Sequence, residues 1–482
     1  MSLQQFCLRM ETMSTRIETD SLGSIAVPST AYWGAHTARA LENFTLSGIP
    51  VSSHPHLVRA LAMVKNAAAQ ANAELGILTP QQSWAIQESC QEIQDGQHHE
   101  QFCVDVIQGG AGTSTNMNAN EVIANLALEK LGHGRGEYQH LHPIDHVNRC
   151  QSTNDIYPSA IKIALIHAVT GLHSELGKLA ESARSKGTEF ATVVKMGRTQ
   201  LQDAVPMTLG QEFGAFAATL EEDRTRLMES ATLMRECSLG ATAVGTGITA
   251  DPGYQHLVLQ ALSATSGVPV VPALDLIEAT SDVGVFMHLS GMLKRTAIKL
   301  SKISSDLRLL SSGPQNGFGE IILPPRQAGS SIMPGKVNPV FPEAMNQIAF
   351  AVAGADTTVT MAADNGQLQL NAFEPVIAHV LLQSISWLEN GVRALRTHCV
   401  DGIAANTELL ARQTAASVGL ATALIPAIGY AAAAAVANEA LRTGSSIIDI
   451  VTSRDLLSRA DAHALIGSAT LPVPAAVIAA GR

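Results

Sequence analysis

Two adjacent serines, Ser330 and Ser331, sit in the stretch LPPRQAGSSIMPGKVNP (323–339), which also carries four prolines, two glycines and Lys336. A hydroxyl can take up or give away a proton, and a lysine ahead of a helix start adds to the positive end of that helix, a setting suited to a carboxylate. Three other polar stretches share this character. GGAGTSTNMNANE (109–121) places Thr113 and Ser114 on a glycine-rich turn leading into a helix, where free backbone N–H groups suit an anion. The same residues also make an ordinary capped helix start. QSTND (151–155) offers Ser152, Thr153 and Asn154 as neutral donors, with Asp155 as a cap. GRTQLQDAVP (197–206) presents Thr199 and Gln200 ahead of a long helix, although such residues often serve only to satisfy loop backbone.

Together the four stretches supply many hydroxyl and amide donors and one lysine, with no Ser–His–Asp arrangement. That equipment suits a small polyanion, a dicarboxylate above all, held less tightly than arginine forks would hold it. The proline-rich stretch nearly matches a nucleotide-binding loop. It fails because five residues, not four, separate Gly329 from Gly335, and Val337 follows Lys336 in place of Ser or Thr. Four histidines (His133, His140, His142, His146) and Asp145 cluster within fourteen residues. The 140/142/146 spacing matches no common zinc site, and LHPIDHVN reads as a loop and then a capped helix. No metal is expected in the site.

Helices must position these stretches. From Phe286, apolar residues recur at Leu289, Leu293, Leu300, Ile303, Leu307 and Leu310, with Lys294, Arg295, Lys299 and Lys302 between them. The spacing predicts a long amphipathic helix, stopped by SSGP at 311–314. The next helix is expected at Asn338-Pro339, with Asn338 as N-cap and proline in the first turn. Between them lies the segment 313–337, too long for an incidental connection, with one short extended piece at EIIL. Further helices are expected at 56–75, 117–131, 158–185, 207–236, 340–363 and 375–398. The chain is mainly α.

Charged residues make up 15% of the 482 residues and hydrophobic ones 46%, with aromatics at 4%. An average soluble domain carries about 25% charge, so the low value predicts helix faces buried between subunits. A net charge of −11 without a long basic run excludes nucleic acid and anionic membrane as partners. It also means that an anionic ligand needs a locally positive site. Six cysteines (Cys7, Cys90, Cys103, Cys150, Cys237, Cys399) form no CxxC pair, as in a reducing compartment. The start shows no secretory signal, Met13 is an alternative first residue, and a cytoplasmic location is expected. No charge occurs between Arg412 and Glu439. That run is Ala-, Gly- and Thr-rich and broken by Pro426 and Gly429, so two short, closely packed helices are expected rather than a membrane span.

These four stretches, in this order, resemble the aspartase/fumarase superfamily. GSSIMPGKVNP closely matches its most diagnostic motif, and the similarity runs from RIETDSLGSIAVPSTAYWGAHTARALENF (16–44) to about AANTELL (404–410). GEYQHLHPIDHVNRCQSTND and GRTQLQDAVPMTLGQEF resemble the aspartate ammonia-lyase branch in particular. The resemblance implies a three-domain fold: a mostly helical N-terminal domain (1–153, its first dozen residues disordered), a central long-helix bundle carrying the mobile loop 313–337 (154–408), and a small helical C-terminal domain (409–482). It implies a homotetramer with a helical core and active sites drawn from three subunits. It also implies deamination of L-aspartate to fumarate. Ser330 would be the general base at Cβ. Thr113, Ser152, Thr153, Ser331, Lys336 and Asn338 would hold the carboxylates, with Ser114 beside them, and Asn154, Thr199 and Gln200 would face the amino group. No cofactor is required, and divalent-cation activation stays open.

The alternative within the superfamily is fumarate hydratase or another fumarate-releasing lyase, one that releases a larger amine. Fumarases resemble this sequence but carry His where Gln200 stands, paired with a carboxylate where Glu343 stands. Releasing hydroxide needs proton delivery, whereas an ammonium already carries its proton. A side chain that cannot titrate therefore suits deamination better than dehydration. Some aspartases also carry His there, so the argument runs one way only. A non-catalytic assembly of the same fold would be expected to have lost Ser330 or Lys336, and both are present.

Overall fold

The computed structural model describes residues 14–469. Cys7, the alternative start at Met13 and the expected disorder of residues 1–12 fall outside that range. Helix dominates, and the strands form four two-stranded sheets. Five helices are long: Thr153–Glu189, Leu209–Leu233, Gly284–Leu310, Val340–Asp364 and Glu374–His398. The expected apolar stripe is the buried face of Gly284–Leu310. Leu289, Leu293, Leu300 and Leu307 are each exposed by 1% or less. At 27 residues that helix is about 40 Å long.

Contacts divide the chain into two compact units. One takes the chain up to His173 with 225–295 and 350–387; the other takes 174–224, 296–349 and the chain from Leu388 onward. In the first unit, helices Pro55–Glu74, Pro80–Gln94 and Thr113–Lys130 pack on one another. Pro55–Glu74 also packs on Tyr254–Ser266. Its buried residues are mostly alanine, valine and leucine, with Lys65, Asn66 and Asn72 among them. The second unit includes a core in which Met196 packs with Leu420, Leu424, Val436, Ile447 and Val451. The alanine-rich run forms helices Leu420–Ile428 and Tyr430–Thr443, separated at Gly429 as expected, while Pro426 lies inside the first. No helix among the described residues is long and apolar enough to cross a membrane. The five cysteines within the described range are free.

Three helix starts differ from expectation. Thr113–Lys130 begins four residues early, directly on the glycine turn. Thr153–Glu189 begins five residues before Pro158, which lies inside the helix. Asp155 is not its cap but its third residue: Oδ1 accepts the Ser152 N–H at 2.9 Å, reaching back across the first turn. The helix starts at Val340, so Asn338 is not the residue immediately before it, and its side-chain amide donates instead to the Gly329 carbonyl at 2.9 Å.

The glycine turn is an unusual piece of backbone. Gly110, Ala111 and Gly112 all have positive φ, at 86°, 54° and 88°. A Cβ on Gly112 would lie 2.3 Å from the ring of Tyr157, so the turn presses directly on the helix that follows Ser152. Gly112→Ala should therefore destabilise the protein by at least about 2 kcal/mol through backbone strain and overpacking. A clear fall in the urea midpoint is expected, and an unchanged midpoint would show that the turn relaxes freely.

Candidate active site

The first two polar stretches meet inside one unit. Asn116, in the first turn of Thr113–Lys130, donates through Nδ2 to Thr153 Oγ1 at 3.0 Å. Because Thr153 accepts there, its own proton is left to donate outward. Ser152 Oγ likewise accepts, from the Asn154 N–H at 3.3 Å. Thr113 is exposed and arranged the other way: its hydroxyl donates to the Gly110 carbonyl at 2.7 Å, leaving lone pairs outward. Ser114, Ser152, Thr153 and Asn154 are all half-buried. Two helix N-termini therefore open beside a set of hydroxyls that is not chemically uniform.

Beneath this surface lies a residue the sequence reading missed. Lys65 is fully buried, and its Nζ donates to Asn148 Oδ1 and Gln151 Oε1, both at 2.8 Å. Asn148 Oδ1 also accepts from Asn116 at 3.2 Å and Asn120 at 3.1 Å. The ammonium is thus linked through one shared amide oxygen and Asn116 to Thr153. Burial pushes the Lys65 ammonium down to about 7, while Asp155 pulls it upward. Burial also raises Asp155, against the N–H bonds from Ser152 and Gly240. The available signal was a single lysine in AMVKNAAA (62–69): a charge on an otherwise apolar helix face needs an internal partner.

Thr199, Gln200 and the proline-rich loop belong to the second unit. The expected loop at 197–206 is a hairpin, Val194–Thr199 paired with Gln202–Thr208. Gln200 (φ 55°) and Leu201 (φ 63°) form its tip. Two-residue hairpin turns with two positive φ values normally take Asn-Gly. A Gln-Leu tip is strained, a feature that clusters at functional sites. Charge holds the hairpin in place. Glu320, itself buried, pairs with Lys195 at 2.7 Å and with Arg198, and the Arg198 guanidinium lies 4.5 Å over the Phe318 ring. The strand carrying Thr199 is thereby fastened to the base of the 313–337 loop.

That loop is open to solvent. Ser331, Lys336 and the side chains of Ile332, Met333 and Val337 are exposed, while Ser330 is half-buried. Ile321–Ile322 pairs with Ala404–Ala405, giving the short extended piece expected at EIIL. Arg326 anchors the middle of the loop to the carbonyls of Thr397 and His398. The tip closes on itself: Gly329 N–H donates to Lys336 O at 2.9 Å, and a Cβ on Gly329 would lie 2.4 Å from that oxygen. Ser330 Oγ accepts the backbone N–H groups of Ile332 at 3.2 Å and Met333 at 3.0 Å. Two N–H dipoles aimed at one hydroxyl oxygen favour its deprotonated form. Glu343 is half-buried in the first turn of Val340–Asp364.

His142 and His146 form the capped turn expected from LHPIDHVN. His142 Nδ1 accepts the N–H groups of Ile144 and Asp145, and His146 Nδ1 accepts the His142 N–H at 2.7 Å. Each ring thus spends its Nδ1 on the backbone.

Comparison with known proteins shows the family. The family model described as Lyase matches residues 23–354, and the one described as Fumarase C C-terminus matches 420–471. Similarity therefore extends well past residue 410, into the alanine-rich helices. An aspartate ammonia-lyase of Pseudomonas aeruginosa is 58% identical over 93% of this chain and 94% of its own length. Among solved structures, a fumarate lyase:delta crystallin from Brucella melitensis bound to cobalt is 52% identical with a TM-score of 0.93, covering 96% of this chain and all of that one. A class II fumarase from Schistosoma mansoni is 34% identical with a TM-score of 0.88, covering 94% of this chain and 98% of that one.

The buried lysine gives a pH dependence with a definite sign. Lys65 ionises near 10.5 in the unfolded chain and near 7 in the folded one. Between those values the unfolded chain binds more protons, so stability rises with pH, at up to about 1.4 kcal/mol per pH unit. Lys65→Met lacks this contribution. The difference in thermal midpoint, wild type minus variant, should grow from about pH 7 to 10; a difference independent of pH would mean that burial does not depress the ammonium.

Proposed function

The chain belongs to the aspartase/fumarase superfamily, in its aspartate ammonia-lyase branch, and from that premise we propose how its residues divide the chemistry. The reaction is the reversible elimination of ammonia from L-aspartate to give fumarate. Ser330 is the base. The observation that carries this assignment is the pair of N–H groups from Ile332 and Met333 on its Oγ, because a serine hydroxyl becomes a useful base only when its alkoxide is stabilised.

A proton on Cβ of aspartate is weakly acidic. Its removal puts a second negative charge on the adjacent carboxylate, forming an aci-carboxylate. The site must bind that dianion more tightly than the substrate. Ser331, Lys336 and Asn338 act on it from the loop. Ser152 and Thr153, whose hydroxyl protons are free to point outward, donate to carboxylate oxygens, with Ser114 beside them. Thr113 donates inward to Gly110 O and offers only lone pairs, which complement the ammonium; it serves a carboxylate only once its hydroxyl proton turns outward. Asn154, Thr199 and Gln200 face the amino group. The Cα–N bond then breaks, its electron pair leaves with nitrogen as neutral ammonia, and the aci-carboxylate charge returns to form the C=C bond. No step calls for a cofactor.

The assembly is a homotetramer whose sites draw on three subunits. Its support is the apolar surface left on the long helices: Met287, Ile298, Phe350, Met361 and Trp387 are each between 44% and 66% exposed, more than a monomer of low charge would leave in water. The location is cytoplasmic, in keeping with the free cysteines among the described residues.

Ultraviolet detection of fumarate tests the reading, with L-aspartate and malate assayed in parallel. Turnover of malate and none of aspartate would make the enzyme a hydratase. Ser330→Ala should lose about 10² to 10⁴ in kcat while circular dichroism stays that of the wild type. Near wild-type turnover by the variant would remove Ser330 from its role.

A further inference from the structure

Helix Thr113–Lys130 ends with Gly132 in the left-handed region (φ 82°), where the N–H of Gly132 donates to Glu129 O and that of His133 to Leu128 O. This paired closure fixes His133 just past the helix. The chain then folds back within eight residues. Glu137 N–H donates to Gly134 O, Tyr138 N–H to Gly136 O and His140 N–H to Glu137 O. From below, Asn125 Oδ1 accepts the Gly136 N–H at 2.8 Å. The Tyr138 hydroxyl accepts from Asn125 Nδ2 and donates to Glu18 Oε2, both at 3.0 Å. The backbone of this loop is tied at every turn, and three side chains project from it on one side.

Those side chains are His133, Glu137 and His140. The two imidazole rings stack with centroids 3.7 Å apart and planes 5° from parallel. His133 Nδ1 lies 3.6 Å from Glu137 Oε2. One ligand atom from each of the three residues falls within 4.8 Å of the other two. The geometry points to a surface metal site, formed by His133, Glu137 and His140, that takes a borderline-soft divalent ion such as zinc or cobalt.

The donor set selects that class. Two imidazoles and one carboxylate are the ligands zinc and cobalt accept, while magnesium and calcium prefer oxygen alone. Three protein ligands leave at least one position for water. Glu137 offsets part of the ion's charge, and the pinned backbone lowers the ordering cost of bringing the three groups together. The stack itself carries a structural signature. Parallel rings hold their in-plane lone pairs side by side, so a shared ion lies in neither plane until the exposed His140 ring turns. Metal uptake therefore breaks the stack.

The site is separate from the elimination chemistry. Thr113 and His133 flank opposite ends of one 18-residue helix, about 27 Å long. An ion there acts as a clamp on the loop leading into the turn that carries Asn148, not as a participant in the reaction.

The test uses the full chain without a polyhistidine tag, stripped with a chelator and dialysed. Calorimetric titration with zinc chloride and with cobalt chloride should each give one saturable site per chain, and the cobalt form should show visible ligand-field absorption. Magnesium chloride should not compete. His133→Ala and His140→Ala should each weaken zinc binding by at least about tenfold, and Glu137→Gln by less, while aspartate turnover of the stripped enzyme stays that of the wild type. Unsaturable uptake overturns the proposal as an adventitious ion only. Undiminished binding by the double variant His133→Ala/His140→Ala overturns it by placing the ion elsewhere. Circular dichroism of each variant confirms that lost binding is not lost fold.

Discussion

One amide oxygen organises the rigid half of the site. Asn148 Oδ1 accepts from the Lys65 ammonium and from the amides of Asn116 and Asn120. Sharing one oxygen among three donors costs each bond some strength, yet the ammonium makes the set worthwhile, because a charged donor contributes roughly twice what a neutral one does. The arrangement answers a problem set by composition. A chain of net charge −11 must attract a dicarboxylate, and an arginine gripping it directly would hold product as firmly as transition state. Lys65 in its protonated form supplies positive potential from beneath, relayed through Asn116 to Thr153, and this contribution falls as pH rises through about 7. On this side of the proposed site the substrate meets hydroxyls, while Lys336 of the loop is the one cation proposed to touch it.

The orientation of those hydroxyls follows from the same network. Thr153 and Ser152 accept hydrogen bonds from within the protein, so both are left as donors toward the ligand. Thr113 donates inward and is left as an acceptor. Three chemically similar side chains thereby present different faces, which lets neutral hydroxyls tell a carboxylate from an ammonium. Asp155 enforces part of this by fixing both the Ser152 N–H and the Gly240 N–H.

Periodicity made the helices legible from the sequence, because a long apolar stripe admits few alternatives: Leu289 to Leu310 line one buried face, as their spacing requires. Loop chemistry was less legible. Pro158 reads as a helix start, but the Ser152–Asp155 box opens the helix earlier and the proline is carried inside it. The strands of the 194–208 hairpin were hidden by Gly197 and Pro206, which break the alternation a strand normally shows. Asn338 has the right type for a cap, yet the helix begins two residues later, at Val340, and the Asn338 amide closes the loop on the Gly329 carbonyl. Lys65 was missed because a lysine within a helix is read by default as solvated, and only the fold reveals its amide partners.

As the proposed base, Ser330 gains from sitting on a loop. A half-buried hydroxyl that accepts two N–H groups at 3.0 and 3.2 Å is still a weak base while water reaches it, since water hydrates hydroxyl and alkoxide alike and competes for the same dipoles. The bias becomes large only where water is excluded, and substrate must enter before that happens. The proposed base therefore calls for a segment that can close after substrate has entered. Its neighbours suit such motion, since Ile332 is 83% exposed, and Met333 and Val337 each about half. Under the proposed reading, burial of these side chains on closure would favour the dehydration that makes Ser330 basic. The Glu320 clasp on Lys195 and Arg198 fixes the base of this segment, which leaves the stretch between the Arg326 anchor and Asn338 as the part that would close.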